Sequence, residues 1–148
     1  MHHKKQMKIR KFQEKDKDTL ITLWKTVFPD DPPHNEPSKV IDEKLEVDDL
    51  IFVAESGDEI VGACMAGYDG HRGWLYAVAV LPEHRRSGTG SQLVKHAINC
   101  LKKLGCTKVN LQIRSTNTKV AAFYKSLDFT PEDRLSMGKR LPENIINT

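Results

Sequence analysis

The residues best suited to chemistry lie in a strand-to-helix junction at residues 77–94, AVAVLPEHRRSGTGSQLV. Pro82 ends the strand because it has no backbone N–H to donate to a sheet. Two arginines and two glycines follow it, namely Arg85, Arg86, Gly88 and Gly90. Glycines let consecutive backbone N–H groups approach a ligand closely, and a helix N-terminus carries about half a positive charge. The junction therefore predicts an anion site, for which phosphate or pyrophosphate is the natural occupant.

Glycine and arginine also occur in strand-to-helix turns that bind nothing, so these residue types alone leave both interpretations open. Two well-known phosphate loops are excluded. The dinucleotide-binding pattern G-x-G-x-x-G fails because Leu93 takes the place of its third glycine, and no acidic residue ends the next strand near Ile113. The pattern G-x-x-x-x-G-K-[ST] does not occur in the chain.

A longer pattern is more specific. Residues Val80–Gly90 read V-x-P-E-x-R-x-x-G-x-G, which resembles motif A of the Gcn5-related N-acetyltransferase (GNAT) family. Residues Asn117–Phe129 read NTKVAAFYKSLDF, which is similar to the helix Asn-x-x-Ala-x-x-Phe/Leu-Tyr-x-x-x-Gly-Phe of the same family. The order of the elements matches as well, so the resemblance covers about Met7 to Leu141.

Two further segments, GYDGHRGW (67–74) and SMGKRL (136–141), resemble the small stand-alone bacterial YpeA-like branch of that family. One departure from the family pattern is Asp128, which stands where a glycine usually precedes Phe129. If that position requires a positive φ, aspartate tolerates it better than most residues do. We therefore expect local strain there and intact activity.

The resemblance implies an enzyme that transfers the acetyl group of acetyl-coenzyme A (acetyl-CoA) to a primary amine, by direct attack in a ternary complex. It implies that the backbone N–H of Val78 faces the thioester oxygen and that Tyr124 is the general acid for the leaving thiolate. The strand end would pair with the pantetheine arm, and the loop would grip the pyrophosphate. The residues implied to contact acetyl-CoA are Val78, Ala79, Val80, Arg85, Arg86, Ser87, Gly88, Thr89, Gly90, Ser91, Asn117 and Tyr124. No metal is implied.

The residues themselves leave alternatives for two of these roles. Tyr124 is also explained as a buried aromatic whose hydroxyl finds a partner. The general base is open, because the strand WLYAVAV contains no carboxylate and Glu83 and His84 are expected to be solvated. Asp69, His71 or a chain of water molecules could accept the proton, although Asp-Gly is above all turn chemistry.

The composition limits the class of protein. The chain has 148 residues, 39% of them hydrophobic and 29% charged, which is typical of a soluble globular domain. A net charge of +3 is too small to predict nucleic-acid binding, and no apolar run is long enough for a membrane span. The three cysteines form no C-x-x-C pair, so we expect neither a disulfide framework nor a zinc site, and a cytoplasmic location.

Apolar periodicity predicts eleven elements in the order β-α-α-β-β-β-α-β-α-β-β. Strands are expected at residues 8–12, 51–56, 59–68, 74–80, 108–114, 129–133 and 135–140. A helix is expected to end at Phe28, with Asp16 or Asp18 as its N-cap, and another is expected at 38–47. A third is expected at 87–105, with Gly105 as its C-cap, and a fourth through Leu127, with Asn117 or Thr118 as its N-cap. The helix at 87–105 makes strands 74–80 and 108–114 parallel. The fold class is therefore α/β (α+β), a GNAT-like mixed and mostly antiparallel central sheet with helices on both faces.

The predicted organisation is a solvated extension at residues 1–6 followed by a single domain at 7–148. Acceptor recognition is expected from the N-terminal helices and the polar segment at 30–39, DDPPHNEPSK. The alternative to an enzyme is a non-catalytic acyl-CoA-binding sensor or scaffold. The sequence names neither the amine acceptor nor the oligomeric state, so a homodimer stays open.

Overall fold

The computed structural model describes residues 7–142, and the predicted extension at residues 1–6 lies outside them. The chain divides into two compact units, the first ending at Gln112 and the second beginning at Ile113. Whether both belong to one domain stays a prediction. The strands are β1 (Met7–Lys11), β2 (Ile51–Ser56), β3 (Glu59–Tyr68), β4 (Gly73–Val80) and β5 (Val109–Asn110); the helices are α1 (Lys17–Val27), α2 (Pro37–Val47), α3 (Thr89–Lys103) and α4 (Thr118–Lys125).

The first unit contains a five-stranded sheet in the order β1-β2-β3-β4-β5. Strands β1 to β4 pair with one another in antiparallel fashion, and β4 and β5 are parallel. Helix α3 is the crossover between those two, since parallel neighbours cannot be joined by a tight turn. The predicted fold class and the predicted parallel pair are therefore confirmed.

Helices cover both faces of this sheet, and alternate residues of β2 show why. Ile51 and Val53, both fully buried, belong to one cluster with Leu20 and Trp24 of α1. Phe52 points to the other face, where its ring meets His96 of α3 edge-on with centroids 5.2 Å apart. Because successive side chains of a strand point to opposite faces, a strand buried on both sides reads as the continuous apolar run seen here.

The helix ends follow local chemistry. Glu36 caps α2 by accepting hydrogen bonds from the N–H groups of Ser38 (3.1 Å) and Lys39 (3.0 Å). Gly105, at φ 98°, follows α3, and the N–H of Cys106 donates to Leu101 O over 3.1 Å. That bond is the closing contact of a Schellman motif, so the predicted glycine C-cap is confirmed.

Asp16 has a different use from the one predicted. Its carboxylate makes no side-chain hydrogen bond to α1. It accepts instead from the Arg10 guanidinium at 2.8 and 2.9 Å and from the backbone N–H of Gln13 at 2.8 Å. Asp16 is only 4% exposed, and the hydrogen bond from Arg10 holds the pKa of its carboxyl below the ordinary value. A buried carboxylate is retained here because its charge is paired.

Three predicted strands are shorter or missing. The strand expected at 108–114 contains only Val109 and Asn110, and residues 129–142 form no strand. Pro131 cannot donate to a ladder, and Leu135 and Met137 are 91% and 89% exposed. A segment forms a strand only where it can pair with another strand and pack against an apolar surface. Among the described residues, the segment at 129–142 does neither.

Candidate functional site

Strand β4 has an open edge. It pairs with β3 along most of its length, but it pairs with β5 only at Gly73 and Trp74. From Leu75 to Val80 the second edge of β4 therefore has no partner strand within the described residues. An edge of this kind presents unpaired N–H and C=O groups that an extended ligand can use.

A β-bulge lies in the middle of that edge. The register pairs Ala63 with Ala79 and Met65 with Tyr76, so two residues, Ala77 and Val78, stand opposite Cys64. Ala77 adopts φ 49°, which is uncommon for a residue with a side chain. Its carbonyl accepts a 3.1 Å hydrogen bond from Trp24 Nε1 of α1. The bulge is therefore held from a distant element.

The backbone direction at the end of β4 follows from two hydrogen bonds. Leu81 N–H donates to Val61 O over 2.9 Å, so Leu81 faces β3 and its neighbour Val80 faces the open edge. Consistent with this, Val80 O accepts from Arg85 Nε over 3.0 Å. Val78 belongs to the bulge, which interrupts the regular alternation of a strand, so the direction of its N–H stays a prediction.

The predicted phosphate loop follows β4 directly. After a short 3-10 turn at Pro82–His84, Arg86 (φ 64°) and Gly88 (φ 84°) both adopt left-handed geometry. Ser87 Oγ donates to His84 O over 2.6 Å and lies 3.0 Å from Thr89 Oγ1, which fixes the loop from within.

Helix α3 then offers its free N–H groups. Gln92 N–H donates to Gly88 O over 3.0 Å and begins the intrahelical ladder. The N–H groups of Thr89, Gly90 and Ser91 precede it, so they have no acceptor within the helix. A Cβ built on Gly88 would meet nothing within 4 Å, so the space beside the loop is open. Three donors at a helix N-terminus, with Arg85 and Arg86 exposed beside them, can hold a polyanion.

The loop residues differ in what they can offer. Arg85, Arg86, Ser87 and Gly88 are exposed, whereas Thr89 is only 1% exposed. The Thr89 side chain points inward, where its methyl group lies near Gly62. Thr89 can therefore contribute its backbone N–H but not its hydroxyl to a ligand.

Two predicted site residues lie in the second unit. Asn117 is the N-cap of α4, and its side-chain oxygen accepts from Val120 N–H at 3.3 Å. Tyr124 is 8% exposed, and its ring meets those of Phe123 and Phe129 edge-on, with centroids 5.0 and 5.5 Å apart. The structure thus fixes the orientation of the Tyr124 ring, and its role as an acid stays a prediction.

Asp128 adopts the positive φ that the sequence suggested, at 70°. The N–H of Phe129 donates to Tyr124 O, and the N–H of Asp128 donates to Lys125 O, both at a distance of 3.1 Å. These two bonds form a Schellman motif in which Asp128 takes the position preferred by glycine. The motif also brings Phe129 against Tyr124, as such motifs commonly do with an apolar pair.

The Asp128→Gly variant is therefore expected to be more stable. Left-handed geometry costs a residue with a side chain about 1–2 kcal/mol, and glycine avoids that cost. Glycine loses more conformational freedom on folding, however, and this offsets about 0.5–1 kcal/mol of the gain. We expect the free energy of unfolding to rise by about 0.5 kcal/mol, measured by urea denaturation. Asp128→Ala, which keeps a Cβ, is the control and should not gain stability. A lower urea midpoint for the glycine variant would contradict this account.

Neither Asp69 nor His71 is placed to act as a base. Asp69 Oδ1 accepts from the N–H groups of His71 and Arg72, both at 2.7 Å, and these bonds, that from Arg72 foremost, lower the pKa of its carboxyl. The turn lies before Gly73, and Val78 is five residues further along β4, or about 16 Å at ~3.3 Å per residue. Of the candidates considered, a water chain is therefore the one the geometry favours.

Two other polar features near β4 have no catalytic role that the geometry supports. Cys64, opposite the bulge, is fully buried, and burial raises the pKa of its thiol to about 12. It is therefore protonated at neutral pH and is no nucleophile. Glu59, Glu83 and His84 bring their donor atoms within 4.8 Å of one another, but both glutamates are exposed, and we assign no ion to them.

The sequence did not reveal two residues that shape this site. Trp24 was expected only as part of an apolar helix face, and Ala77 only as a strand residue. Their hydrogen bond joins residues 53 positions apart, so no local sequence pattern could have predicted it. Among residues 7–142, no helix combines the length and the apolar character that crossing a bilayer requires.

Comparison with known proteins gives consistent matches. The model of the acetyltransferase (GNAT) family matches residues 17–129. A protein of Pectobacterium atrosepticum named acetyltransferase is 40% identical over 141 residues, which cover 93% of this chain and 98% of that one. Among solved structures, the fold is similar to that of aminoglycoside N-acetyltransferase AAC(6')-Iy in complex with CoA (TM-score 0.78, 21% identity, 91% of this chain and 95% of that one). It is also similar to the ribosomal-protein-S18-alanine N-acetyltransferase of Escherichia coli (TM-score 0.72, 20% identity, 82% and 76%).

Proposed function

Because the chain belongs to the acetyltransferase (GNAT) family, we propose that the open edge of β4 and the loop after it bind acetyl-CoA for transfer of its acetyl group to a primary amine. The observation that carries this proposal is the continuity of the two features. The edge of β4 from Leu75 to Val80 has no partner strand among the described residues, and the chain leads from Val80 through the loop at 81–88 to the free N–H groups of α3. An extended amide-containing arm that ends in a pyrophosphate matches both in order.

The roles proposed for the loop follow from its groups. The N–H groups of Thr89, Gly90 and Ser91 would donate to pyrophosphate oxygens. Arg86 adds positive charge at the rim, and Arg85 does so while its Nε holds the end of β4. Ser87 would stabilise the loop, since its hydroxyl is already bonded to His84 O.

The proposed reaction is a direct transfer. The neutral amine nitrogen attacks the thioester carbonyl carbon, and the N–H of Val78 stabilises the negative charge that develops on the carbonyl oxygen. The C–N bond forms, the C–S bond breaks, and the electron pair of the C–S bond leaves on sulfur. Water takes the proton that the nitrogen loses, and Tyr124 protonates the thiolate, so that an amide and CoA are released.

Tyr124 suits this role because its phenolic hydroxyl group is a proton donor. Its edge-on contacts with Phe123 and Phe129 restrict the ring to one orientation. Asn117 is proposed to contact the cofactor arm with its amide NH2 group, because its side-chain oxygen already caps α4.

Two structural relatives support amine transfer as the reaction class. The AAC(6')-Iy structures include complexes with CoA and with a bisubstrate analogue, CoA-S-monomethyl-acetylneamine, and the S18 enzyme acts on an alanine. We propose the same cofactor and the same reaction class for this chain. We also propose a cytoplasmic location, since Cys64, Cys100 and Cys106 are all free thiols.

The alternative, an acyl-CoA-binding module without catalysis, is favoured by one observation. β4 reads GWLYAVAV, so the strand itself supplies no carboxylate to act as a base. In the enzyme interpretation, water accepts the proton that the amine loses.

A thiol-release assay separates the two functions. Acetyl-CoA at 100 times its Kd should stabilise the protein by about 2.7 kcal/mol in either case. S-acetyl-N-acetylcysteamine, which carries the same thioester without the pyrophosphate, is the matched control and should stabilise it far less. Only an enzyme releases free CoA faster when amines are added. The binding module would be favoured if acetyl-CoA stabilised the protein but no amine of a broad panel accelerated the release of CoA.

A further inference from the structure

A cavity of about 690 Å³ lies against the bulge, entirely within the first unit. Its walls come from the end of α1, the segment between α1 and α2, the start of α2, and strands β3 and β4. Tyr76 and Ala77 line it, so it reaches the residue next to Val78. A volume in this range suits a small molecule rather than a folded partner.

The walls of the cavity are mainly apolar. Trp24, Phe28 and Met65 line it together with four prolines of residues 29–37. The indole N–H of Trp24 already donates to Ala77 O, and the prolines have no backbone N–H to donate. The neutral polar side chains in the lining are those of Asn35 and Tyr76. A ligand with many hydroxyl groups would replace only part of its hydrogen bonds to water here, which makes binding less favourable.

Charge in the cavity is sparse and mixed. The acidic and basic residues that line it are Lys25, Asp31 and Glu36. Glu36 directs both carboxylate oxygens to the start of α2, and those backbone hydrogen bonds, that from Lys39 foremost, lower its pKa. Asp31 caps no helix in the described structure, so its carboxylate is available to a ligand. The positive charge of Lys25 repels a second cationic group. The balance is two negative charges against one positive, which suits one ammonium group and disfavours several.

We propose that this cavity binds the acceptor, and that the acceptor is a monoamine carried on an apolar body of aromatic size, such as a 2-arylethylamine. The inference rests on the proposed function, because it names the amine that the acetyl group reaches. The apolar body packs against Trp24, Phe28 and Met65, and Asp31 attracts the ammonium group to the cavity. The amine loses its proton to water before it attacks.

The first test compares three acceptors at saturating acetyl-CoA by thiol release. Phenethylamine represents the proposed class, putrescine is a small dication, and kanamycin is a polycation rich in hydroxyl groups. Because apolar pockets discriminate by contact area and by desolvation, kcat/KM for phenethylamine should exceed the other two by about tenfold or more. An equal or higher kcat/KM for putrescine or kanamycin would overturn the inference and leave acetyl transfer itself intact.

The second test uses neighbouring carboxylates. Asp31→Asn should lower kcat/KM for phenethylamine about tenfold, as loss of a ligand-facing charge commonly does, without changing the Kd of acetyl-CoA. Asp30→Asn is the matched control, because Asp30 is also exposed but does not line the cavity. Equal effects of the two substitutions would overturn the assignment. Lys25→Glu should raise kcat/KM for putrescine about fivefold by removing the opposing charge.

A binding measurement keeps this inference distinguishable from the proposed function. Phenethylamine should raise the Tm of the CoA-bound protein, and Asp31→Asn but not Asp30→Asn should weaken that shift. Binding without turnover would support the cavity assignment and contradict catalysis. Turnover of other amines without binding of phenethylamine would overturn the cavity assignment alone, and neither binding nor turnover of any amine would overturn both.

Discussion

The Tyr124→Phe variant is expected to lose about 100-fold or more in kcat while its Kd for acetyl-CoA stays nearly unchanged. Phenylalanine keeps the edge-on packing against Phe123 and Phe129, so the loss is confined to the hydroxyl. Without that proton donor the leaving group is a free thiolate, which is formed less readily than a protonated thiol. Thiol-release kinetics at saturating amine measure kcat, and isothermal titration measures the Kd.

The matched control is Tyr68→Phe, another tyrosine that loses only its hydroxyl. Tyr68 OH donates to Gly70 O over 3.3 Å in the β3–β4 turn, away from the bulge. This variant should therefore keep the kcat of the unmodified protein. Equal turnover in the Tyr124→Phe variant would remove Tyr124 from the mechanism, and so would an equal loss in the Tyr68→Phe variant.

The Gly88→Ala variant is expected to weaken acetyl-CoA binding by about tenfold or more, because it strains a left-handed residue that positions three phosphate donors. At φ 84°, alanine costs about 1–2 kcal/mol, and the loop relieves that strain by rotating away from its native geometry. The N–H groups of Thr89, Gly90 and Ser91 then no longer converge on one point. Isothermal titration with acetyl-CoA measures the change in Kd.

Gly70→Ala provides a closely matched control. Gly70 has φ 90°, and a Cβ at either glycine meets nothing within 4 Å, so both substitutions impose a similar backbone cost. Only Gly88 belongs to the phosphate loop. The two variants should lose similar unfolding free energy, while the Kd rises in Gly88→Ala alone. If both variants kept the original Kd, the loop geometry would be irrelevant to binding.

Much of the first unit could be predicted from local patterns. Strands β2 and β3 have the expected bounds, because each is a long apolar run and Gly57-Asp58 marks the turn between them. Helix α3 was predicted from its apolar spacing and from Gly105, and it begins at Thr89, beside the glycines that announced it. The narrower resemblance to the YpeA-like branch stays a prediction.

The prediction failed where a feature needed a partner distant in the chain. The strands expected at 129–133 and 135–140 find no partner strand among the described residues. Asp16 had the right residue type and place for an N-cap, yet Arg10 on β1 captured its carboxylate. For Asp16, the ion pair with Arg10 outweighed an N-cap preference of about 1 kcal/mol. For the two strands, the long-range pairing that a sheet requires is missing.

The sequence by itself determined the family resemblance, the loop that offers phosphate donors and the sheet that carries it, because these depend on residue types at fixed spacing. Only the tertiary structure decided where β4 opens, that Ala77 and Val78 bulge against Cys64, and that Trp24 holds them there. It also decided that Asp69 and His71 lie far from the bulge and that an apolar cavity adjoins it. The physical reason is that register and cavities arise from elements packing together, and those contacts join residues whose separation in sequence carries no local signal.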